Sequence, residues 1–489
     1  MTVVAGPEGL FEIEPGEART PGSATPAGVG KTFRGYDQGQ SFLLPPSLDD
    51  WLDEDDEARF ISEVVDEVLD LAPVYASYVS VSGAPPYDPR MMLKLLLFAY
   101  ATGVTSSREL ERRCKRDIAF RWLSGNQAPD YRSLARFRRR HLGALRGLFL
   151  QVLRVCAQAG LVRLGRVALD GTKLHANASR HKAMSYDRIV PKIDQLQGEV
   201  DALLAEAEAI DEAEDEEFGE DRRGDEIPAE LARREGRLAK LQAAKEQIEA
   251  DAAEQEAAAA RKKADTAGTT GEQAEQAATE AAGKATPKLK TQRNFTDPEA
   301  RMMKTGRGFD YAFNAQAVVD EAHQIVLAAD ITAQATDVQQ FVPMTTQTTR
   351  NLDAAGIDRH PDAILADAGY CSETNLHAAE DLDAQVLIAT GRQRHGESFP
   401  TTGGAEPVPE GASRREQMAH ALRTEQGYAS YARRKAIVEP VFGQMKTRQN
   451  AGQLRLRGLT GAQGEWLLHT ICHNLRKLRN ATTTGIVPA

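Results

Sequence analysis

Three carboxylates in uncommon surroundings are the residues of this chain whose types and spacing promise chemistry. Asp170 ends the apolar run of VALDGTKL and Asp367 ends that of ILADAGY, and Gly171 and Gly369 follow them, leaving room beside each charge. Glu439 lies in YARRKAIVEPVFGQMK among Ile437, Val438, Val441, Phe442 and Met445, where a bare charge is costly to desolvate unless a cation meets it. A metal ion would serve. Lys446 follows Glu439 by two helical turns, on the same face. An isolated Asp-Gly at a strand end is more often a hairpin turn, so the reading rests on the set. Other chemistries lack their residues. Cys114, Cys156, Cys371 and Cys472 form no C-x-x-C pair, which argues against a zinc site or a disulfide framework, and His175 and His181 have no recognisable nucleophile pattern beside them.

The elements that must position these groups are legible as periodicities. Leu164, Val167, Ala168 and Leu169 suit a short buried strand leading to Asp170. A hairpin is read over GFDYAFNAQAVVDEAHQIVLAADI, with alternating Phe309, Tyr311 and Phe313, a turn from Asp320 to His323, and a return from Ile325 to Ile331. Thr336 or Asp337 then caps a helix, DAILADAGY is a strand, Ser372 or Glu373 opens another helix, and QVLIATG is one more strand, followed by a Pro/Gly loop from Phe399 to Gly411. This order describes a mixed α/β sheet whose first strand is severed from its second by an insertion. Within the insertion, Ile193, Leu196, Val200, Leu203 and Leu204, and then Leu231, Leu238, Leu241 and Ile248, recur at helical spacing on either side of an acidic break. They predict a helical hairpin.

Upstream the chain reads as helices. One spans Leu48 to Tyr75, a second begins at Pro89 and closes at Gly103, a third starts at Ser106 or Ser107, and a fourth at Asp130 or Ser133 runs through RSLARFRRRHLGALRGLFLQVL. In this last helix Leu134, Phe137, Leu142 and Leu145 share a face, which throws Arg136, Arg138, Arg139 and Arg140 to the others.

Charge separates these regions. The formal net charge is −11, yet Glu199 to Glu256 holds 21 acidic and 7 basic residues, so the remainder of the chain is slightly basic. The excess is densest from Arg108 to Arg146, with 12 Lys and Arg against 4 Asp and Glu, which suits a helix laid along phosphates. The N-terminal stretch lacks the basic and apolar regions of a signal peptide, and the run at MMLKLLLFAYATGV is too short to span a bilayer, so a soluble cytoplasmic, nucleoid-associated protein is expected.

VALDGTKL, ILADAGY and the Y-x-x-R-K-x-x-x-E-x-x-x-x-x-x-K pattern, joined to a basic helical region, resemble the DDE transposases of bacterial insertion sequences. The resemblance implies an RNase H-like mixed-sheet catalytic domain interrupted by the hairpin and preceded by an all-helical DNA-binding domain, a multidomain α plus α/β architecture. It implies Asp170, Asp367 and Glu439 as ligands of two Mg²⁺ (or Mn²⁺) ions, with Tyr431, Lys446 and either Arg434 or Lys435 completing the catalytic set. It also implies double-stranded DNA as partner, both the terminal inverted repeats and the target, bound by a homodimer. Arg132, Arg136, Arg139 and Arg140 are the expected phosphate contacts.

The boundaries expected are a disordered tail over 1–40, a helical domain over 41–161, a catalytic domain over 162–186 and 290–480, an acidic hairpin over 187–250, a low-complexity, flexible or partly helical tether over 251–289, and a C-terminal tail over 481–489. Two other readings compete: an RNase H-like nuclease or resolvase without strand transfer, and a non-enzymatic DNA-binding regulator. Three aligned carboxylates have no purpose in a regulator.

Overall fold

The structure, a computed structural model, describes residues 47–78, 85–218, 229–266, 271–306, 308–391, 407–408 and 410–485. The tail expected over 1–40, residues 219–228 of the acidic break, and most of the Phe399 to Gly411 loop lie outside these residues. The chain divides into two units, and the described part of the first, Met1–Asp53, contains a 3₁₀ turn at Asp49–Trp51. All further elements belong to the second, Glu54–Ala489.

Its helices begin with α1 (Glu57–Glu63, continued by a π-helical turn Val64–Val68), α2 (Ala72–Tyr75), α3 (Pro89–Ala101), α4 (Ser107–Arg116), α5 (Ile118–Leu123), α6 (Tyr131–Arg140) and α7 (Leu145–Gln158). Asp56, Asp88, Asp117 and Asp130 each accept a backbone N–H at the start of α1, α3, α5 and α6, so carboxylate caps punctuate the region. Two expected helices are broken. The one read over Leu48 to Tyr75 is interrupted by its acidic run, where Asp56 caps a new start, and ends in the single turn of α2. The Arg-rich helix stops at His141, and a 3₁₀ turn at Leu142–Ala144 separates α6 from α7.

A mixed sheet follows. Its strands are β1 (Arg166–His175), then, after a small antiparallel ladder of β2 (Ala183–Ser185) with β3 (Gln292–Asn294), β4 (Arg301–Thr305), β5 (Gly308–Asp320), β6 (Val326–Thr332), β7 (Ala363–Ala366) and β8 (Gln385–Ile388). The order is β4-β5-β1-β7-β8, with β6 also on β5. β5 runs antiparallel to β1, β4 and β6, whereas β1, β7 and β8 are parallel. The β4 strand, absent from the sequence reading, pairs Arg301–Thr305 with Gly308–Ala312.

Between β2 and β3 the chain makes α8 (Tyr186–Phe218), α9 (Ala229–Thr266) and α10 (Gly271–Gly283). Ile189, Leu196 and Val200 of α8 bury against Leu238, Leu241, Ala244 and Ile248 of α9. Where a flexible or partly helical tether was expected after Asp251, α9 continues to Thr266 and α10 packs on it, held by Arg261 donating to both carboxylate oxygens of Glu275 at 2.9 and 2.6 Å. Asp251 anchors α9 to the sheet side by accepting from Arg293 and Arg301 at 2.8 and 3.0 Å.

The remaining helices are α11 (Phe341–Ala354), α12 (Glu373–Glu380), α13 (Arg414–Ala421), α14 (Glu425–Ala432), α15 (Arg434–Arg448) and α16 (Leu459–Thr483). α16 enters the stretch expected to be a tail and forms a central buried rod against α3, α7 and β6. Its Asn474 exchanges two hydrogen bonds of 2.9 Å with the backbone of Val326, satisfying the β6 edge, and its Trp466 indole donates to the Gln316 carbonyl at 3.0 Å. Fully buried Glu465 accepts the N–H groups of Arg455 and Leu456 and the hydroxyl of Tyr100, and Tyr100 accepts in turn from Arg138. Arg138, expected on an outer face, is thus buried as the cation of a polar network that joins the first helices to α16.

Candidate active site

β1 and β7 are parallel neighbours in a register that pairs Leu169 with Ala366, so the next residues, Asp170 and Asp367, emerge beside each other. The two carboxylates are stabilised by their own backbone: Gly171 N–H donates to Asp170 Oδ1 and Gly369 N–H to Asp367 Oδ1, both at 2.8 Å. Burial pushes the Asp170 carboxyl up to about 6, the nearby charge of Asp367 adds to the rise, and the guanidinium of Arg434 opposes it.

That guanidinium belongs to α15, which crosses β1. Arg434 Nη1 donates to Asp170 Oδ2 at 2.8 Å, and Lys446, near the other end of the helix, donates to Thr172 Oγ1. Asp170 and Thr172 are alternate residues of β1 and share its α15 face. Arg434 also lies 5.9 Å from the ring centre of Tyr431, which places this tyrosine of α14 at the same site. Pro440 within α15 cannot donate to the Ala436 carbonyl, and Gln324 donates to it instead at 3.1 Å.

Two of the expected basic candidates separate cleanly: Arg434 is buried on Asp170, whereas Lys435 is exposed. Glu439 departs from expectation. Its neighbours Ile437, Val438, Val441, Phe442 and Met445 are buried, but Glu439 is itself exposed. Helical phase explains this, since 100° per residue carries position 439 away from the stripe that holds 434, 438, 441 and 445. Glu439 remains between Arg434 and Lys446, which hydrogen-bond to Asp170 and Thr172 of β1. Among the described residues, however, no three His, Cys, Asp or Glu side chains come together closely enough to hold a metal ion. Asp170 and Asp367 are the carboxylates brought side by side, and Arg434 takes one oxygen of Asp170.

A further carboxylate reaches the region from the turn before α11. Asp337 does not cap the helix with its side chain. It accepts instead from Asn314 Nδ2 at 2.7 Å, Gln316 Nε2 at 2.8 Å and Lys173 Nζ at 3.2 Å, all at Oδ1. Gln316 accepts from the Tyr370 hydroxyl, and burial with the charges of Asp337, Asp170 and Asp367 drives that phenol well above its ordinary range. Sequence reasoning missed Asp337, Gln316 and Tyr370; polar Asn314 and Gln316 within an otherwise apolar strand were the available signal.

The basic candidates of α6 lie elsewhere. Arg132, Arg136, Arg139 and Arg140 are exposed, Arg132 hydrogen-bonds the Tyr131 hydroxyl at 3.2 Å, and Arg140 stacks 4.3 Å from the Tyr78 ring centre.

Two aspartates on adjoining parallel strands beneath a helix that carries Arg434, Glu439 and Lys446, with Tyr431 on the helix before it, define a carboxylate-bearing class of mixed-sheet proteins. Two family comparisons narrow it: residues 46–140 match a transposase domain (DUF772), and residues 284–475 match a transposase DDE domain. The chain belongs to the DDE-type transposases of insertion sequences, enzymes that act on DNA and generally depend on divalent metal. No curated protein and no solved structure matches it. β1 and its Asp170 fall between the two matched segments, yet β1 pairs directly with β5 and β7 of the second and lies at the centre of the same sheet. Among the described residues no helix is long and apolar enough to cross a membrane.

Proposed function

We propose that this transposase binds the ends of its insertion sequence through the helical region and, at Asp170, Asp367 and Glu439, cleaves a DNA strand and joins the freed end to target DNA. The observation that carries this reading is the adjacency of Asp170, within β1 and just past the last residue paired with β7, to Asp367, which follows β7, with Glu439 on the helix held to β1 at Asp170 and Thr172. The RNase H-like description of the sheet, the treatment of 187–250 as a hairpin insertion, and action as a homodimer on double-stranded DNA in the cytoplasm belong to the same reading.

The donor set fits hard divalent ions: Asp170 and Asp367 present carboxylate oxygens side by side, and the high proton affinity of Asp170 is the mark of charge crowded in low dielectric. Asp170, Asp367 and Glu439 would hold Mg²⁺ (or Mn²⁺), two ions in all, which when bound would activate the attacking oxygen and stabilise the leaving one. The chain's own residues do the rest. Arg434, already at the carboxylate, and Lys446, on Thr172, are placed to hold phosphate oxygens, while Tyr431 supports Arg434 from the side. In hydrolysis water attacks phosphorus, the bond to the bridging 3′-oxygen breaks, and that oxygen leaves as the 3′-hydroxyl. In strand transfer the freed hydroxyl attacks a target phosphate, forming one phosphodiester as another breaks.

The test is incubation of the purified protein with DNA flanking its own gene and a supercoiled target plasmid, with Mg²⁺ and with a chelator. Breaks at the element's ends and joined products requiring Mg²⁺ are expected. Breaks without joining would favour a nuclease or resolvase, and DNA binding without either would leave a regulator.

A further inference from the structure

The parallel ladder between β1 and β7 ends at Leu169 and Ala366, one residue short of the aspartates. Backbone pairing therefore does not itself fix the distance between Asp170 and Asp367. On the sheet face opposite Asp170, directly opposed positions Gly171 with Gln316 and Lys173 with Asn314 bring four side-chain positions together around the carboxylate of Asp337.

Asp337 occupies the space that both glycines leave. A methyl group at Gly171 would lie 2.7 Å from Asp337 Oδ1 and collide with Gln316 Nε2, and one at Gly369 would lie 3.4 Å from Asp337 Oδ2. The glycines after Asp170 and Asp367 thus pack against the same carboxylate. A chain of bonds runs from Asp337 through Gln316 to the hydroxyl of Tyr370, three residues beyond Asp367, and Tyr370 N–H returns to the Asp367 carbonyl at 3.2 Å. Asn375 closes the arrangement by donating to the carbonyls of Val338 and Tyr370, both at 2.6 Å. Asn314, Gln316 and Tyr370 are fully buried, so their geometry is set by these partners and not by solvent.

We infer that Asp337 is a positioning residue for the strand-cleavage reaction, a hub behind the sheet that sets the separation of Asp170 and Asp367 by tying β1 and β5 to the turn after β7. This inference rests on the proposed Asp170 and Asp367 site. Asp337 has its Oδ1 filled by three donors and lies on the far side of β1, so it acts through the two aspartates and not on the DNA.

The experiment compares full-length wild type, Asp337→Ala, Asp337→Asn and Asp170→Asn on a labelled duplex carrying DNA that flanks the gene. Single-turnover cleavage over a Mg²⁺ titration, duplex affinity in chelator, and thermal unfolding are read for each. Asp337→Ala is expected to lose at least 100-fold in cleavage with affinity within about threefold of wild type. Asp337→Asn, which keeps an oxygen for the Asn314 and Gln316 donors, should recover at least tenfold of that loss and require more Mg²⁺ for half-maximal rate. Should the Ala variant not fold, the Asn variant decides through its rate and Mg²⁺ requirement. Wild-type cleavage and Mg²⁺ dependence in Asp337→Asn and in any folded Asp337→Ala, beside an inactive Asp170→Asn, would overturn the inference. An Asp170→Asn variant that cleaves normally would instead overturn the site reading on which it rests.

Discussion

Arg434 Nη1 donates to Asp170 Oδ2 across 2.8 Å, and both side chains are largely withdrawn from solvent. The pair spans 264 positions of sequence and ties α15 to the central strand. Lys435, the other cation beside it, is exposed.

A division of labour between these neighbours follows. Removing one member of a buried ion pair leaves an uncompensated charge and costs about 3–5 kcal/mol. Arg434→Ala should therefore lower thermal stability and reduce cleavage more than 100-fold, whereas Lys435→Ala should stay within a few-fold of wild type in both. Arg434→Lys should recover stability only partly, since an ammonium lacks the planar fork of the guanidinium. Melting curves and single-turnover rates on the same preparations check this, and equal effects at 434 and 435 would contradict it.

Lys446 meets Thr172 on the same strand face as Asp170. Lys446→Ala is expected to weaken strand transfer by tenfold or more while changing duplex affinity by less than threefold, because one phosphate contact near the reacting bond contributes little to a large interface. Joining assays with pre-cleaved ends, run beside affinity measurements, separate the two. Parallel losses would assign Lys446 a general electrostatic role.

These contrasts mark where sequence was informative and where it fell short. The apolar runs into Asp170 and Asp367, the β5–β6 hairpin and the helix starts at Pro89, Ser107 and Tyr131 were readable because each carries a local period or a cap. The exposure of Glu439 was not legible, since a helical residue's apolar neighbours in sequence do not share its azimuth. Asp337 was hidden for a different reason. An Asp before a helix is a familiar cap, and only the pairing of β5 with β1 brings Asn314 and Gln316 to its carboxylate. The burial of Arg138 was equally non-local, set by Tyr100 and Thr105 more than thirty residues upstream.

Acid sensitivity should arise from α16. Burial pushes His469 and His473 down to about 3, with Arg138 adding at His469, while an unfolded histidine titrates near 6.5. Both are neutral when folded, so the unfolded chain binds more protons between those values. Their stability contribution is complete above about pH 6.5 and is lost as pH falls toward 3. Buried Glu465, whose carboxyl is raised, acts in the opposite sense. His473→Gln can still donate to the Gln324 carbonyl that His473 contacts at 2.8 Å, without a group to protonate. Its melting temperature should fall less than that of wild type between pH 7 and pH 5, and an unchanged slope would remove His473 from the account.

The DNA-facing role of α6 is tested by salt. Arg132, Arg136, Arg139 and Arg140 are exposed on this helix, while Arg138 is committed to the interior. If the four contact phosphates, each neutralisation should reduce affinity about equally across sequences and flatten the dependence of log affinity on log salt by about one unit. Arg136→Gln and Arg139→Gln are the cleanest variants, because Arg132 also serves Tyr131 and Arg140 also covers Tyr78. Arg138→Gln should behave differently: it strips the cation from the Tyr100 and Glu465 network and lowers the melting temperature. The decisive measurement is the salt slope in full-length protein, where the double Arg136→Gln, Arg139→Gln variant should lose about two units with its melting curve unmoved. A slope that stays at the wild-type value would remove α6 from DNA contact and make Arg448, Arg455 and Arg457, basic residues near the C-terminal end of the sequence, the next candidates.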